Sequence, residues 1–135
     1  MSITITNIEG IGNVYAAKLN EAGIKSISGL LKKCATKKGR KDVAALTGLD
    51  ESLILKWTNI ADLYRVKGIG SEYSELLEKA GVDTVKELKN RVPENLHAKL
   101  KEVNTEKNLV RSLPTLKRVE AFIEHARKLD AVVSY

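Results

Sequence analysis

Ile8-Glu9-Gly10-Ile11-Gly12-Asn13-Val14-Tyr15 returns 58 residues later as Val66-Lys67-Gly68-Ile69-Gly70-Ser71-Glu72-Tyr73. Leu19, Ala22-Gly23-Ile24, Ile27 and Leu30 return at the same offset as Leu77, Ala80-Gly81-Val82, Val85 and Leu88. A repeat of this kind sets the architecture before any local assignment is made. What repeats is a Gly-Ile-Gly turn that opens an amphipathic helix. Glycine in such a turn allows positive φ and lets a phosphate come close to the backbone. Ile11 and Ile69 anchor the turns in the core, and the helix behind each adds N-terminal amides and the positive end of its dipole.

Outward from the turns, the periodicity predicts an all-α fold. Residues 1–7 read as extended. The first helix should run over 13–22, with Val14 or Tyr15, Ala17 or the Lys18 stem, Leu19 and Ala22 inward and Gly23 as its stop. Ser26 offers an N-cap for a short helix carrying Ile27, Leu30 and Leu31. A short helix over 42–46 precedes a longer one capped by Asp50, with Leu53, Ile54, Trp57, Ile60 (or Ala61) and Tyr64 inward. The second copy retraces this path: a helix over 71–80, Thr84 capping Val85 and Leu88, and Pro93 in the first turn of a helix over 94–103. Pro114 should start or kink a last helix with Val119, Phe122, Ile123, Ala126 and Leu129 on one face, and residues 130–135 should fray. The two repeats, 1–65 and 66–135, have no long linker and are expected to pack into one compact unit.

Ala44-x-Leu46-x-x-Leu49-Asp50 also returns, as Ala98-x-Leu100-x-x-Val103-Asn104, now at offset 54. The first copy is therefore four residues longer between these landmarks. Its surplus falls in a basic segment: Lys32, Lys33, Lys37, Lys38, Arg40 and Lys41, with no acid among them, equal the whole net charge of +6. Such a cluster attracts polyanions by counterion release without reading sequence. The plain alternative is a solvated loop that keeps the protein soluble.

With 135 residues, 43% hydrophobic and 30% charged, the chain suits one ordinary core or two small lobes rather than a disordered segment. No apolar run approaches the roughly 20 residues that span a bilayer, and the N-terminus lacks the regions of a signal peptide. The single cysteine, Cys34, excludes an internal disulfide framework and fits a reducing cytoplasm. A cytoplasmic location is expected, with no membrane partner and no evident small-molecule substrate or cofactor.

The Gly-Ile-Gly turn and the helix behind it resemble the helix-hairpin-helix motif, which in DNA repair and recombination proteins grips the duplex backbone without reading bases. The small residues Ala16 and Ser74, four after the second glycine, match the close helix packing of that motif. Over its full length the chain resembles an uncharacterised bacterial family of tandem helix-hairpin-helix (SAM-like) domains, a domain of unknown function. Thr47-Gly48-Leu49, Leu53-Ile54-Leu55-Lys56-Trp57, the second turn, 80–88 and 93–100 carry that likeness. The resemblance implies two fused repeats and a phosphate-backbone contact. Flap-endonuclease-like labels attached to some members transfer no catalytic residue here.

DNA-gripping copies often carry a lysine or arginine soon after the second glycine. Here the first turn has Asn13-Val14, with Lys18 further along. The second has Ser71-Glu72 and then Glu75, and Lys67 is its only compensating charge. The first turn is thus the stronger phosphate candidate. The turns could equally serve only as tight, buried corners.

Other chemistry is thin. Ala44, Gly48, Leu49, Ile54 and Trp57 match helix-turn-helix spacing, but the would-be reading helix starts Asp50-Glu51, and on that reading both Leu53 and Leu55 would face outward if Ile54 faces in. Base readers are Arg, Lys, Asn or Gln, so packing explains the spacing and Trp57 is a core anchor. His97 and His125 sit in no metal spacing with Cys34. Glu120 and Glu124 form an exposed carboxylate pair, suited to pairing with neighbouring cations rather than to a two-metal site. Cys34, among lysines that would lower its pKa, reads as a lone surface thiol.

The sequence thus points to a non-enzymatic, non-sequence-specific nucleic-acid binder, most simply of DNA. Gly10, Ile11, Gly12, Asn13 and Lys18 would act with Lys32, Lys33, Lys37, Lys38, Arg40 and Lys41. A weaker second turn is formed by Lys67, Gly68, Ile69, Gly70 and Ser71. The rival is a protein-interaction module on the same scaffold.

Overall fold

Each Gly-Ile-Gly segment folds into the same backbone, built on matching dihedral angles and hydrogen bonds. Gly10 and Gly68 sit at φ 94° and 93°, Ile11 N donates to Ile8 O, and Ile69 N donates to Val66 O, both at 3.1 Å. The helices behind them, α1 (Asn13–Glu21) and α5 (Ser71–Lys79), both end at a glycine of positive φ, Gly23 and Gly81. Ile24 N and Val82 N then reach back to Leu19 O and Leu77 O at 2.9 and 2.8 Å, which satisfies carbonyls that would be orphaned at the helix ends. Ser26 accepts from Gly29 N at 3.0 Å to cap α2 (Ile27–Cys34). Thr84 accepts from Glu87 N at 3.2 Å to cap α6 (Val85–Lys89).

The structure is a computed structural model and describes residues 3–135. Among the described residues there are eight α-helices, one 3-10 turn and no strand. The remaining helices are α3 (Lys37–Thr47), α4 (Glu51–Leu63), α7 (Pro93–Lys107) and α8 (Leu116–Arg127). The chain divides into two compact units, residues 1–62 with 132–135, and residues 63–131. In the first, Ile5, Ile8, Ile11, Leu19, Ile24, Leu30 and Trp57 are buried. In the second, Leu63, Val66, Ile69, Leu77, Leu88, Leu100, Phe122 and Ile123 form one hydrophobic cluster. An aromatic pair recurs in each: Tyr15 on Trp57 at 5.2 Å and 59°, and Tyr73 on Phe122 at 6.0 Å and 56°. Both are tilted pairs of the kind that adds to simple burial. They pin α1 to α4 and α5 to α8.

Several expectations need correction. Of the segment expected to be extended, Met1 and Ser2 lie outside the described residues, and Ile5–Asn7 forms a 3-10 turn. On α1 it is Ala16, not Ala17, that faces inward, and Val14 is 72% exposed. Leu53 and Leu55 are half-buried rather than outward-facing. Helix α7 extends four residues past Val103, to Lys107, because Asn108 supplies a left-handed cap at φ 51°. The tail does not fray as an isolated end: Ser134 N donates to Ala35 O at 2.8 Å.

The largest correction concerns the basic segment, which is helical rather than a loop. Thr36 accepts from Gly39 N at 3.1 Å and starts α3 at Lys37, so only Ala35 and Thr36 separate it from α2. Lysine and arginine are good helix formers. Gly39 breaks the apolar pattern yet fits here, since a Cβ at that position would overlap the Lys33 carbonyl oxygen. The glycine is what lets α3 turn back so tightly on the end of α2.

Candidate nucleic-acid interface

The first turn is open. Gly10 and Gly12 are exposed, Ile11 beneath them is 3% exposed, and Asn13 projects into solvent. No side chain caps α1: Gly12 stands at its N-cap with φ −87° and ψ −172°, and no atom lies within 4 Å of where its Cβ would be. Those dihedral angles are available to any residue, and serine, threonine, aspartate, asparagine and glycine are the usual choices there. Gly70 repeats the arrangement at the N-cap of α5, at φ −123° and again with no neighbour within 4 Å. Gly10 needs its glycine for φ. Nothing inside the chain requires one at Gly12 or Gly70.

The second turn is engaged from one side by α8. A Cβ on Gly68 would meet Phe122 Cε1 at 3.0 Å, whereas one on Gly10 would meet nothing within 4 Å. Lys67 N donates to His125 Nδ1 at 2.9 Å, which leaves Nε2 as the proton-bearing nitrogen of the neutral ring. Lys67 also lines a shallow cleft with Ala121, Glu124, His125 and Lys128. Ile69 is buried, Ser71 O accepts from Ser74 Oγ at 3.0 Å, and Glu72 stands in the first turn of α5. A carboxylate there works against an anion.

The basic residues separate into two groups. Lys32, Lys37, Lys38 and Lys41 are exposed, as is Lys18 on α1, and Lys38 pairs with Asp42 at 3.3 Å. That exposed i,i+4 pair contributes little to stability. Lys25, in the turn leading to α2, adds an exposed cation that cluster-counting in the sequence passes over.

The other two are committed to the fold. Lys33 Nζ donates to Ala22 O at 2.9 Å, placing its charge on the C-terminal end of α1, where the helix dipole favours a cation. That end lies about 13 Å from the Gly-Ile-Gly turn, the length of a nine-residue helix. No single phosphate can therefore touch both the turn and Lys33. Arg40 is 4% exposed, and its guanidinium donates to Cys34 O at 2.9 Å, Ala35 O at 3.1 Å and Ser134 O at 2.5 Å. It is not the open surface contact that the sequence suggests.

Cys34 is likewise not a surface thiol. It is fully buried, and burial pushes its pKa above the usual thiol range against the smaller opposing effects of a Thr58 hydrogen bond and the Arg40 and Lys33 charges. Neighbouring lysines in sequence do not activate a thiol that its own helix turns into the core. Among the described residues no group of three or more His, Cys, Asp or Glu is placed to hold a metal, and no helix is long and apolar enough to cross a membrane.

A family model described as Domain of unknown function (DUF4332) matches residues 9–129. The chain belongs to this family. The match starts at Glu9, within the first turn, and ends at Leu129, past α8, so in this DUF4332 member it takes in both turns and all eight helices. No curated protein and no solved structure matches the chain.

Proposed function

We propose that this protein holds the phosphate backbone of a nucleic acid, most simply DNA, without sequence preference, as a pair of fused helix-hairpin-helix repeats. The observation that carries this reading is the glycine at Gly12. It is unstrained, uncrowded and uncapped, and it leaves the first-turn amides of α1 open to an oxyanion. The exposed cations Lys18, Lys25, Lys32, Lys37, Lys38 and Lys41 supply salt-sensitive attraction on the same unit. The second turn is the weaker contact, because α8 engages it and Glu72 stands beside it.

Fluorescence anisotropy with labelled duplex and single-stranded DNA across a salt series tests this. Log affinity should fall linearly with log salt, with a slope of about −0.9 per phosphate neutralised on duplex. Reversing the charges of Lys37, Lys38 and Lys41 should flatten it. Absence of binding at low salt, or an unchanged slope in that variant, defeats the reading.

Protein docking is the second reading, and one observation favours it. Val14 and Leu46, both in the first unit, are 72% and 73% exposed. Should the two form one continuous apolar patch, it would suit a partner surface.

A further inference from the structure

We infer that the segment 132–135 masks an anion subsite centred on Arg40, so that this tail competes with the polyanion of the proposed function, on which the inference rests. Arg40 brings a cationic guanidinium into a buried position. Buried charges are ordinarily paired with an opposite charge, yet each acceptor on this guanidinium is a neutral backbone carbonyl.

Those three carbonyls are not equivalent. Cys34 O and Ala35 O belong to the C-terminal end of α2, where the helix dipole concentrates partial negative charge. They hold the guanidinium in place whatever the tail does. Ser134 O is the exchangeable one, because residues 130–135 have no secondary structure of their own. The bonds of this segment include Ser134 N to Ala35 O at 2.8 Å, Arg40 Nη2 to Ser134 O, and two longer ones at 3.4 Å, Ser134 Oγ to Ala35 O and the Tyr135 hydroxyl to Asn59 Oδ1.

The cleft around Arg40 is mixed in charge. Arg40 and Tyr135 line a cleft of about 220 Å³ with Lys37, Glu51, Ser52 and Leu55. Lys37 adds a second cation and Ser52 a hydroxyl, while Glu51 keeps the open cleft from holding an anion strongly. With the tail displaced, a phosphate oxygen would take the place of Ser134 O on Nη2. Against a phosphate oxygen the guanidinium gains an opposite charge that a neutral carbonyl does not offer. The tail then acts as a built-in competitor that sets how many phosphates the first unit engages.

The test uses the full chain, a variant ending at Ala131, and the full-length Ser134→Pro variant, which loses the amide donor to Ala35 O. Each is titrated with duplex DNA across a salt series and melted with and without inorganic pyrophosphate. Both variants should bind DNA on the order of tenfold tighter at low salt, with a slope steeper by about 0.9. Pyrophosphate should raise their melting temperature more than that of the full chain. Arg40→Gln should abolish these gains in the Ala131 variant.

If none of the proteins binds DNA, the proposed function fails, and pyrophosphate stabilisation confined to the two tail variants still supports the masked subsite. If DNA binds but neither variant gains affinity, slope or pyrophosphate stabilisation, the masked subsite is overturned and the proposed function stands.

Discussion

Gly12→Asp separates folding from binding at the first turn. In the native backbone this residue has φ −87° and ψ −172°, within the extended region that an N-cap aspartate adopts. An added Cβ meets nothing within 4 Å, so no packing cost arises. The carboxylate would accept from a first-turn amide of α1 and sit at the positive end of its dipole. Compared with glycine at an N-cap, that stabilises by a few tenths of a kcal/mol, a rise of about 1–3 °C in melting temperature. The same carboxylate occupies the amides that would meet a phosphate. At about 4 Å it repels an oxyanion by roughly 1 kcal/mol in water and about 4 kcal/mol at the effective dielectric of a protein surface. DNA affinity should therefore fall at least about tenfold in a protein that melts no earlier than wild type. Gly70→Asp is the internal control: it makes the same cap on α5, beside Glu72, and should leave affinity close to wild type. Anisotropy and thermal melting read both quantities on the same samples. A Gly12→Asp protein that binds as tightly as wild type would refute the assignment of the first turn as a phosphate contact.

Gly39→Ala should destabilise by about 1 kcal/mol or more in urea melts. Overpacking against the Lys33 carbonyl outweighs the roughly 1 kcal/mol by which alanine is the better helix former; a more stable variant would contradict the close approach of α3 to α2. Gly10→Ala should cost about 1–2 kcal/mol for its left-handed backbone alone, and Gly68→Ala more, because Phe122 Cε1 lies 3.0 Å from the new methyl. Equal losses would argue against that packing. Cys34 should resist a thiol reagent in the native protein and react on unfolding. Because burial raises its folded pKa, the unfolded thiol ionises first as pH rises, so stability should hold below about pH 8.5 and decline above it. A Cys34→Ala variant should lose that decline, and rapid native labelling would contradict the burial.

The sequence by itself determined the helical content, both turns and most caps. Ser26, Thr84, Gly23 and Gly81 act through their own and adjacent backbone groups, within reach of a local reading. The pairing of Tyr73 with Phe122 was less visible, because Tyr15 meets Trp57 at a different sequence separation. What only the tertiary structure decided is which cations remain available. Lys33, Lys37 and Arg40 look alike in a basic run. Yet α2 carries Lys33 to the end of α1, and the tight α2–α3 corner draws Arg40 inward to carbonyls that include one from Ser134, 94 residues away. Charge can be counted along a chain, but its exposure depends on where the helices turn. At this corner the turn depends on Gly39, which has no Cβ to collide with the carbonyl oxygen of Lys33.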